Sequence, residues 1–352
     1  MTSAVVRGIA TALAGTSLSR EEAAELFGEI MDGTATPAQM GGLLVALRAK
    51  GESVDELVGA AAAMRTRAAP LECPRLEHSI DTCGTGGDGR GTVNISTLAA
   101  ILIAACGGTV AKHGNRALSS RCGSADVVEA LGIAVDLDGP AVTKCIETAG
   151  IGFAFAPRFH PATRHAAAVR RELGTRTIFN LLGPLTNPAG VRHQVVGVYD
   201  PRWCEPMAAA LGALGVRRAA VVHGDAGLDE IAVAGPTLVA IWDEGFLSAT
   251  TLTPRSFGAG DVDPAGLAGG DVDGNAQVIR DVLAGKDVGP GERLEAVLHA
   301  AAMTAALGLE LLESGVFDLD RLPDQFVRAR TVATDSAGEE ALERWRAASP
   351  RP

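Results

Sequence analysis

Residues 79–106 read SIDTCGTGGDGRGTVNISTLAAILIAAC. A short apolar run (80–83) gives way to five glycines at 84, 86, 87, 89 and 91, and then to an apolar stretch at 98–106. That order predicts strand, loop and helix, the unit from which parallel α/β sheets are built. Glycines let backbone N–H groups wrap an anion, and the helix N-terminus behind them adds a favourable dipole. Gly84, Gly86 and Gly89 formally satisfy G-x-G-x-x-G, but a dinucleotide site needs an acid about 20 residues later for the ribose. No Asp or Glu occurs between Arg90 and Ala125, and no Gly-Lys-Ser/Thr of a Walker A loop follows. The stretch therefore reads as a phosphate cradle of another kind. Its nine-residue apolar run is far short of the ~20 residues that span a bilayer and predicts a buried helix.

Downstream, short apolar runs at 151–156, 194–199, 219–223 and 238–242 alternate with Ala- and Leu-rich helical stretches. The alternation predicts a mostly parallel central sheet covered by helices. Segment 258–274, rich in Gly and Asp, reads as a surface loop, and a long helix is expected over about 292–311. The first seventy residues differ. Val5, Val6, Ile9 and Leu13 fall on one helical face, Ser19–Glu22 and Ser53–Glu56 have capping-box spacing, and Thr36-Pro37 starts a helix that Gly51 ends. The fold expected is α/β: a small all-helical domain over 1–72, joined by a helical segment around 163–190, and a larger α/β domain over 78–345.

Of 352 residues, 42 are acidic and 31 basic, a net charge of −11. That balance argues against nonspecific nucleic-acid or anionic-membrane binding, and a 47% apolar content excludes wholesale disorder. One tyrosine, three tryptophans and nine phenylalanines give no stacking platform for single-stranded nucleic acid. The six cysteines are widely spaced, with no C-x-x-C pair, and the N-terminus lacks a signal-peptide h-region. A soluble protein of the reducing cytoplasm is expected.

Within this acidic chain, Lys112-His113-Gly114-Asn115-Arg116 and Ser119-Ser120-Arg121 group cations with hydroxyls after a strand, as a polyphosphate cradle would. Asn94-Ile95-Ser96-Thr97 opens the buried helix, where Ser96 or Thr97 could cap. Asp229-Glu230 follows another strand. Beside a phosphate site, paired carboxylates suit Mg²⁺, which binds through one or two carboxylates and substrate phosphates.

Together CGTGGDG, NIST, KHGNRALSSRCGSAD, RRELGTRTIFNLLGPLTNP and GLDE resemble, in order and spacing, the motif set of the anthranilate phosphoribosyltransferases. The resemblance implies a homodimer that transfers phosphoribose from phosphoribosyl pyrophosphate (PRPP) to the amine of anthranilate, with Mg²⁺. Matching its PRPP positions are Gly84, Gly87, Asp88, Thr92, Asn94, Ile95, Ser96, Thr97, Lys112, His113, Gly114, Asn115, Arg116, Ala117, Leu118, Ser119, Ser120 and Ser124. Ser96, Asp229 and Glu230 match its metal ligands, and Lys112, Asp229 and Glu230 carry the catalytic expectation. Gly84, Asn115 and Arg170 match anthranilate contacts, with His113 and Pro184 nearby and Arg171 adjacent in sequence. Val93, Thr163 and His299 depart from the usual pattern. Two other readings, a non-catalytic nucleic-acid-binding homologue and a pyrimidine nucleoside phosphorylase, fit these motifs less well.

Overall fold

The computed structural model describes residues 3–117 and 121–349. Four helices come first: α1 (Ala4–Leu13), α2 (Arg20–Met31), α3 (Pro37–Lys50) and α4 (Val54–Arg65). Ser19, Thr36 and Ser53 each accept the N–H three residues on, and Glu22, Gln39 and Glu56 return the bond. Each cap contributes about 1 kcal/mol to helix stability. Gly51, at φ 90°, closes α3. Helix α1 departs from the apolar face read in the sequence. Its buried residues are Ala4, Val5, Gly8 and Ala12, whereas Val6 and Leu13 are 38% and 73% exposed. Small residues face the bundle because the neighbours come close: a Cβ on Gly8 would lie 2.7 Å from Leu26 Cδ2.

The rest alternates as expected at first: β1 (Ser79–Gly84), α5 (Ile95–Ala105), β2 (Thr109–Gly114), α6 (Ser124–Ala130), α7 (Gly139–Ala149) and β3 (Ile151–Phe155). Helices α8 (Ala156–Phe159), α9 (Arg164–Leu173) and α10 (Phe179–Leu185) precede β4 (His193–Gly197), α11 (Cys204–Ala213) and β5 (Arg218–Gly224). Then β6 (Thr237–Asp243) and β7 (Phe246–Leu252) form a hairpin, and α12 (Val272–Leu283), α13 (Glu295–Leu312), α14 (Leu322–Thr334) and α15 (Ala337–Ala348) complete the described chain.

One sheet runs in the order β3-β2-β1-β4-β5-β6-β7. Strands β1 to β5 are parallel, while β6 and β7 are antiparallel. The strand–helix rhythm thus breaks after β5, where a loop rather than a helix leads into β6. Two cores result. One holds α5 and α13 with Ile80, Val110, Val195 and Ala220 of the sheet. Helix α13 is long and apolar enough to cross a bilayer, but 89% of it is buried inside the fold. The other core joins α1 to α4 with Val169 of α9, Leu181 and Leu182 of α10, Met207 and Leu211 of α11, and Val196 and Val221 of the sheet. The chain at 163–190 therefore packs into the helical bundle. Arg65, at the end of α4, fastens the bundle by donating to the carbonyls of Leu185 (2.7 Å) and Leu214 (2.9 Å).

Candidate active site

The chain order reverses at β1, with β2 and β3 on one side and β4 and β5 on the other. Loops leaving the carboxyl ends diverge at such a point and open a crevice. Strands β1, β2, β4 and β5 each end on a glycine, and each glycine admits a close neighbour. A Cβ on Gly84 would stand 2.8 Å from Asp229 Oδ2, on Gly114 2.2 Å from Ser124 Oγ, and on Gly224 2.5 Å from the Glu230 carbonyl. On Gly197, in register with Gly84, it would stand 1.6 Å from the Asp229 carbonyl oxygen. The loop carrying Asp229 and Glu230 thus lies directly on the strand ends.

The glycine loop after β1 is held at several points. The Thr85 N–H donates to Gly197 O (2.9 Å), its hydroxyl accepts from the Tyr199 N–H (3.1 Å), and the Gly86 N–H donates to Asp229 Oδ2 (2.9 Å). Segment 258–274 is largely exposed, as expected of a surface loop, and its inner side covers this region. Leu267 O accepts from the Val93 N–H (3.0 Å), and Gly91 O accepts from the Gly269 N–H (2.8 Å). Asn94 is the N-cap of α5 but makes no capping bond; its Oδ1 accepts from Asn275 Nδ2 (3.1 Å). The capping expected of Ser96 or Thr97 is not found. Ser96 Oγ accepts from Lys112 Nζ (3.3 Å), and Thr97 Oγ1 is buried without a partner. Ile95 and Thr97 are buried in the core at 1% and 0% exposure.

Lys112 and His113, expected on a polar loop, both lie inside strand β2 and are buried. The Lys112 ammonium donates to Thr82 O (2.5 Å) and Ser96 Oγ. Burial draws its pKa down, while the Asp81 carboxylate, Cys83 and Glu230 act the other way. His113 donates its backbone N–H to Asp81 (3.2 Å), and its Nδ1 lies 3.2 Å from Gly183 O. Burial, with His160 at a ring distance of 5.2 Å, pushes the imidazole down to about 3 and keeps it neutral. His113 Nε2 and both ring nitrogens of His160 have no partner.

Within charge range of Lys112 is Glu230, with Asp229 and Asp88 beside it. Burial, then repulsion from Asp88, raises the Asp229 carboxyl, and burial with Asp229 raises Glu230. Asp88 Oδ2 is buried with no hydrogen-bond donor. Lys112 draws Glu230 back down, but the three carboxylates outnumber that one cation. Among the described residues no three His, Cys, Asp or Glu side chains converge as a closed cation site. An oxygen-only set left open suits a hard cation that completes its shell with water and substrate phosphates.

The loop after β2 turns around Gly123, whose Cβ would lie 2.3 Å from the Ala117 nitrogen. Asp126 accepts from the N–H groups of Ala117 (3.0 Å) and Gly123 (2.9 Å), and Asn115 O accepts from Ser124 Oγ (3.3 Å). Arg116 is not a free cation here: it pairs with Asp126 and Glu129, both at 2.9 Å. Leu118, Ser119 and Ser120 lie outside the described residues. Thr92 bridges Ala268 at the loop's far end.

Arg176 reaches the glycine loop from the segment between α9 and α10, and Arg170 lies in α9 just before it. The Arg170 guanidinium sits 5.1 Å from the Phe179 ring centroid, and that of Arg176 sits 4.0 Å from Tyr199. Arg176 also donates to Gly87 O. Among the described residues neither forms an ion pair, and Arg170 is half-buried while the adjacent Arg171 is exposed.

Comparison with known proteins decides the relationship. The helical bundle domain of the glycosyl transferase family matches residues 7–68, and its a/b domain matches 76–322. Anthranilate phosphoribosyltransferase from Anaeromyxobacter dehalogenans is 54% identical over 87% of this chain and 90% of its own length. That from Moorella thermoacetica is 52% identical over 88% and 90%. The chain belongs to the anthranilate phosphoribosyltransferase family. Among solved structures, the family member from Thermus thermophilus superposes with a TM-score of 0.88 at 42% identity, covering 97% of this chain and 98% of that one. The Saccharomyces cerevisiae member, in complex with PRPP and Mg, gives 0.86 at 25% identity, covering 98% and 97%.

Within this family frame, sequence reading missed Asn187, Asn275 and Arg176. Asn187 Nδ2 donates to Asp81 (2.8 Å) and to Ala111 O (2.8 Å), tying the chain after α10 to the two central strands. Arg176 and Asn187 both lie in the long motif at 170–188, but only the fold shows what each one holds. The contact at Gly197 gives a direct test. Gly197→Ala should displace the loop at 224–231, speeding amide hydrogen exchange there and at Gly86 while leaving α1 to α4 unchanged. Unaltered exchange in the loop would contradict the close approach.

Proposed function

We propose that the chain transfers the 5-phosphoribosyl group from PRPP to the amine of anthranilate, giving N-(5-phosphoribosyl)anthranilate and pyrophosphate. The observation that carries this reading is the crevice over β1 and β4, where the glycine loop, the buried Lys112 and the carboxylates Asp88, Asp229 and Glu230 come together. PRPP occupies the side lined by Gly84, Gly87, Asp88, Thr92, the 94–97 turn and the 112–124 loop. Ser96, Asp229 and Glu230 hold Mg²⁺, which when bound neutralises charge on the diphosphate. Lys112 adds a fixed positive charge, oriented in advance by Thr82 O and Ser96 Oγ, where the leaving group accumulates negative charge.

Anthranilate presents a carboxylate and an aromatic amine that is already unprotonated at neutral pH. Arg170 offers the carboxylate a planar fork, and its lack of a carboxylate partner among the described residues supports that role. Asn115, Gly84 and the unpartnered nitrogen of His113 complete the acceptor side. The amine nitrogen bonds to C1 of the ribose as the C1–O bond to pyrophosphate breaks, and the nitrogen then loses a proton to solvent. No strong base is required. Holding both reactants in line supplies the remaining acceleration.

We also place the protein in the cytoplasm, where its six free thiols would stay reduced, and assign it as a homodimer. Exposed Val6 and Leu13 of α1 and Val45 of α3 support a partner on the bundle. The test of function is loss of anthranilate fluorescence on mixing with PRPP and Mg²⁺. No turnover, with phosphorolysis of uridine or thymidine instead, would overturn it.

Asp229→Asn with Glu230→Gln should raise the Mg²⁺ concentration needed for half-maximal rate, with partial recovery at high Mg²⁺. Normal turnover at limiting Mg²⁺ would remove both residues from the metal site. Arg170→Ala should raise the anthranilate KM by roughly 10- to 150-fold, the loss of one charge-assisted hydrogen bond, with PRPP affinity nearly unchanged. Arg171→Ala should leave both constants alone. The reverse result would move the carboxylate contact to Arg171.

A further inference from the structure

We propose that Arg176 is a positioning residue that locks the Gly87–Asp88 peptide of the glycine loop, and so couples PRPP binding to the bundle segment that carries Arg170. The proposal rests on the phosphoribosyl-transfer reading above.

Arg176 lies in the connection at 174–178, between α9 and α10. Its guanidinium is held from two sides. One face covers the ring of Tyr199, with the centre of charge 4.0 Å from the centroid, and one Nη donates to Gly87 O. A Cβ on Gly87 would lie 3.7–3.8 Å from the guanidinium nitrogens. Gly87 itself is at φ 80°, a conformation that glycine takes freely and other residues do not.

The consequence follows from peptide geometry. In a planar trans peptide the carbonyl of one residue and the N–H of the next point in opposite directions. With the Gly87 carbonyl drawn toward Arg176, the Asp88 N–H faces away from it. The neighbouring loop residues have anchors of other kinds: Thr85 is held by Gly197 and Tyr199, and Gly86 by Asp229. At Gly87, flanked by Gly86, the peptide could flip cheaply were its carbonyl released. Arg176 thus keeps a backbone donor oriented in a loop whose N–H groups are its means of binding an anion.

Two further observations fit a role beyond packing. Arg176 forms no ion pair among the described residues, in a chain with a net charge of −11. Its partner Tyr199 is the chain's single tyrosine, and the Tyr199 N–H holds Thr85 of the same loop. Arg176 is also six positions from Arg170, and α10, which follows it, packs in the bundle core. A shift of the bundle toward or away from the sheet would carry the Gly87 contact with it.

The test is a comparison of Arg176→Ala, Arg176→Lys, Tyr199→Leu and Tyr199→Phe with the wild-type enzyme. The readouts are both KM values, calorimetric PRPP binding with Mg²⁺, and hydrogen exchange at 86–89. Loss of the charged hydrogen bond and the stack should raise the PRPP KM roughly 10- to 100-fold in Arg176→Ala, with anthranilate KM within about threefold. Exchange at 86–89 should quicken. Lys should recover only part of the loss, since an ammonium cannot stack flat and donate in plane together. Tyr199→Leu should show a smaller PRPP defect and Tyr199→Phe almost none. The double variant combining Arg176→Ala with Tyr199→Leu should fall short of additivity.

An unchanged PRPP KM, an equal rise in both constants, or full rescue by Lys would overturn the proposal. Were Arg176→Ala not to fold, Arg176→Lys and Tyr199→Leu give the same split. Failure of the wild-type protein to bind PRPP would mark the functional reading itself as wrong and take this inference with it. Wild-type binding with an unaffected Arg176 variant would sink this inference alone.

Discussion

A lysine ammonium sits inside the sheet. Lys112 is 1% exposed, and moving such a charge out of water costs several kcal/mol even after relaxation. The surroundings that offset this cost are the same groups that build the site. Thr82 O and Ser96 Oγ accept from it, and the fully buried Asp81 supplies opposing charge. Asp81 is pushed up to about 6 by its own burial, with Lys112, Asn187 and His113 drawing it back. Removing either charge would strand the other, so β1, β2, α5 and the chain after α10 are bound to one arrangement.

That arrangement fixes the polarity of the crevice before any substrate arrives. Lys112 lies beside Glu230, Arg176 reaches the Gly87 carbonyl from the segment after α9, and Asp88, Asp229 and Glu230 crowd together. The carboxylates outnumber the cation beside them, and Arg170 and Arg176 form no ion pair among the described residues. Substrates bearing a diphosphate, a carboxylate and an associated cation complement both. The chain's overall acidity does not enter, because fields at this range are set by buried and half-buried groups rather than by the solvated surface.

Much of this is legible in the residues. The capping boxes at Ser19 and Ser53 and the Thr36-Pro37 start announce their helices, because caps are local and depend on spacing alone. The apolar runs mark the strands at 151–156, 194–199 and 219–223. Reading fails where distant chain decides. The β6–β7 hairpin resembles another strand–helix unit, since a single apolar run does not reveal its direction. Lys112 and His113 read as loop residues, because a charge on a buried strand is recognisable only once Asp81 and Asn187 are beside it. Helix α1 turns its small residues inward, a choice made by Leu26. Arg116, by type a free cation, is already matched by Asp126 and Glu129.

The glycines that end the parallel strands have a consequence for how this sequence can vary. Replacing glycine by alanine ordinarily narrows the unfolded ensemble and adds about 0.4–1 kcal/mol where the native backbone allows it. Gly260 and Gly270 meet that condition, with nothing within 4 Å of an added Cβ and no positive φ. Gly84, Gly114, Gly197 and Gly224 do not. At those places the extra freedom of the denatured chain is retained so that backbone can touch the loop above it. The thermal tolerance of the fold can therefore be improved around the crevice far more readily than at its floor.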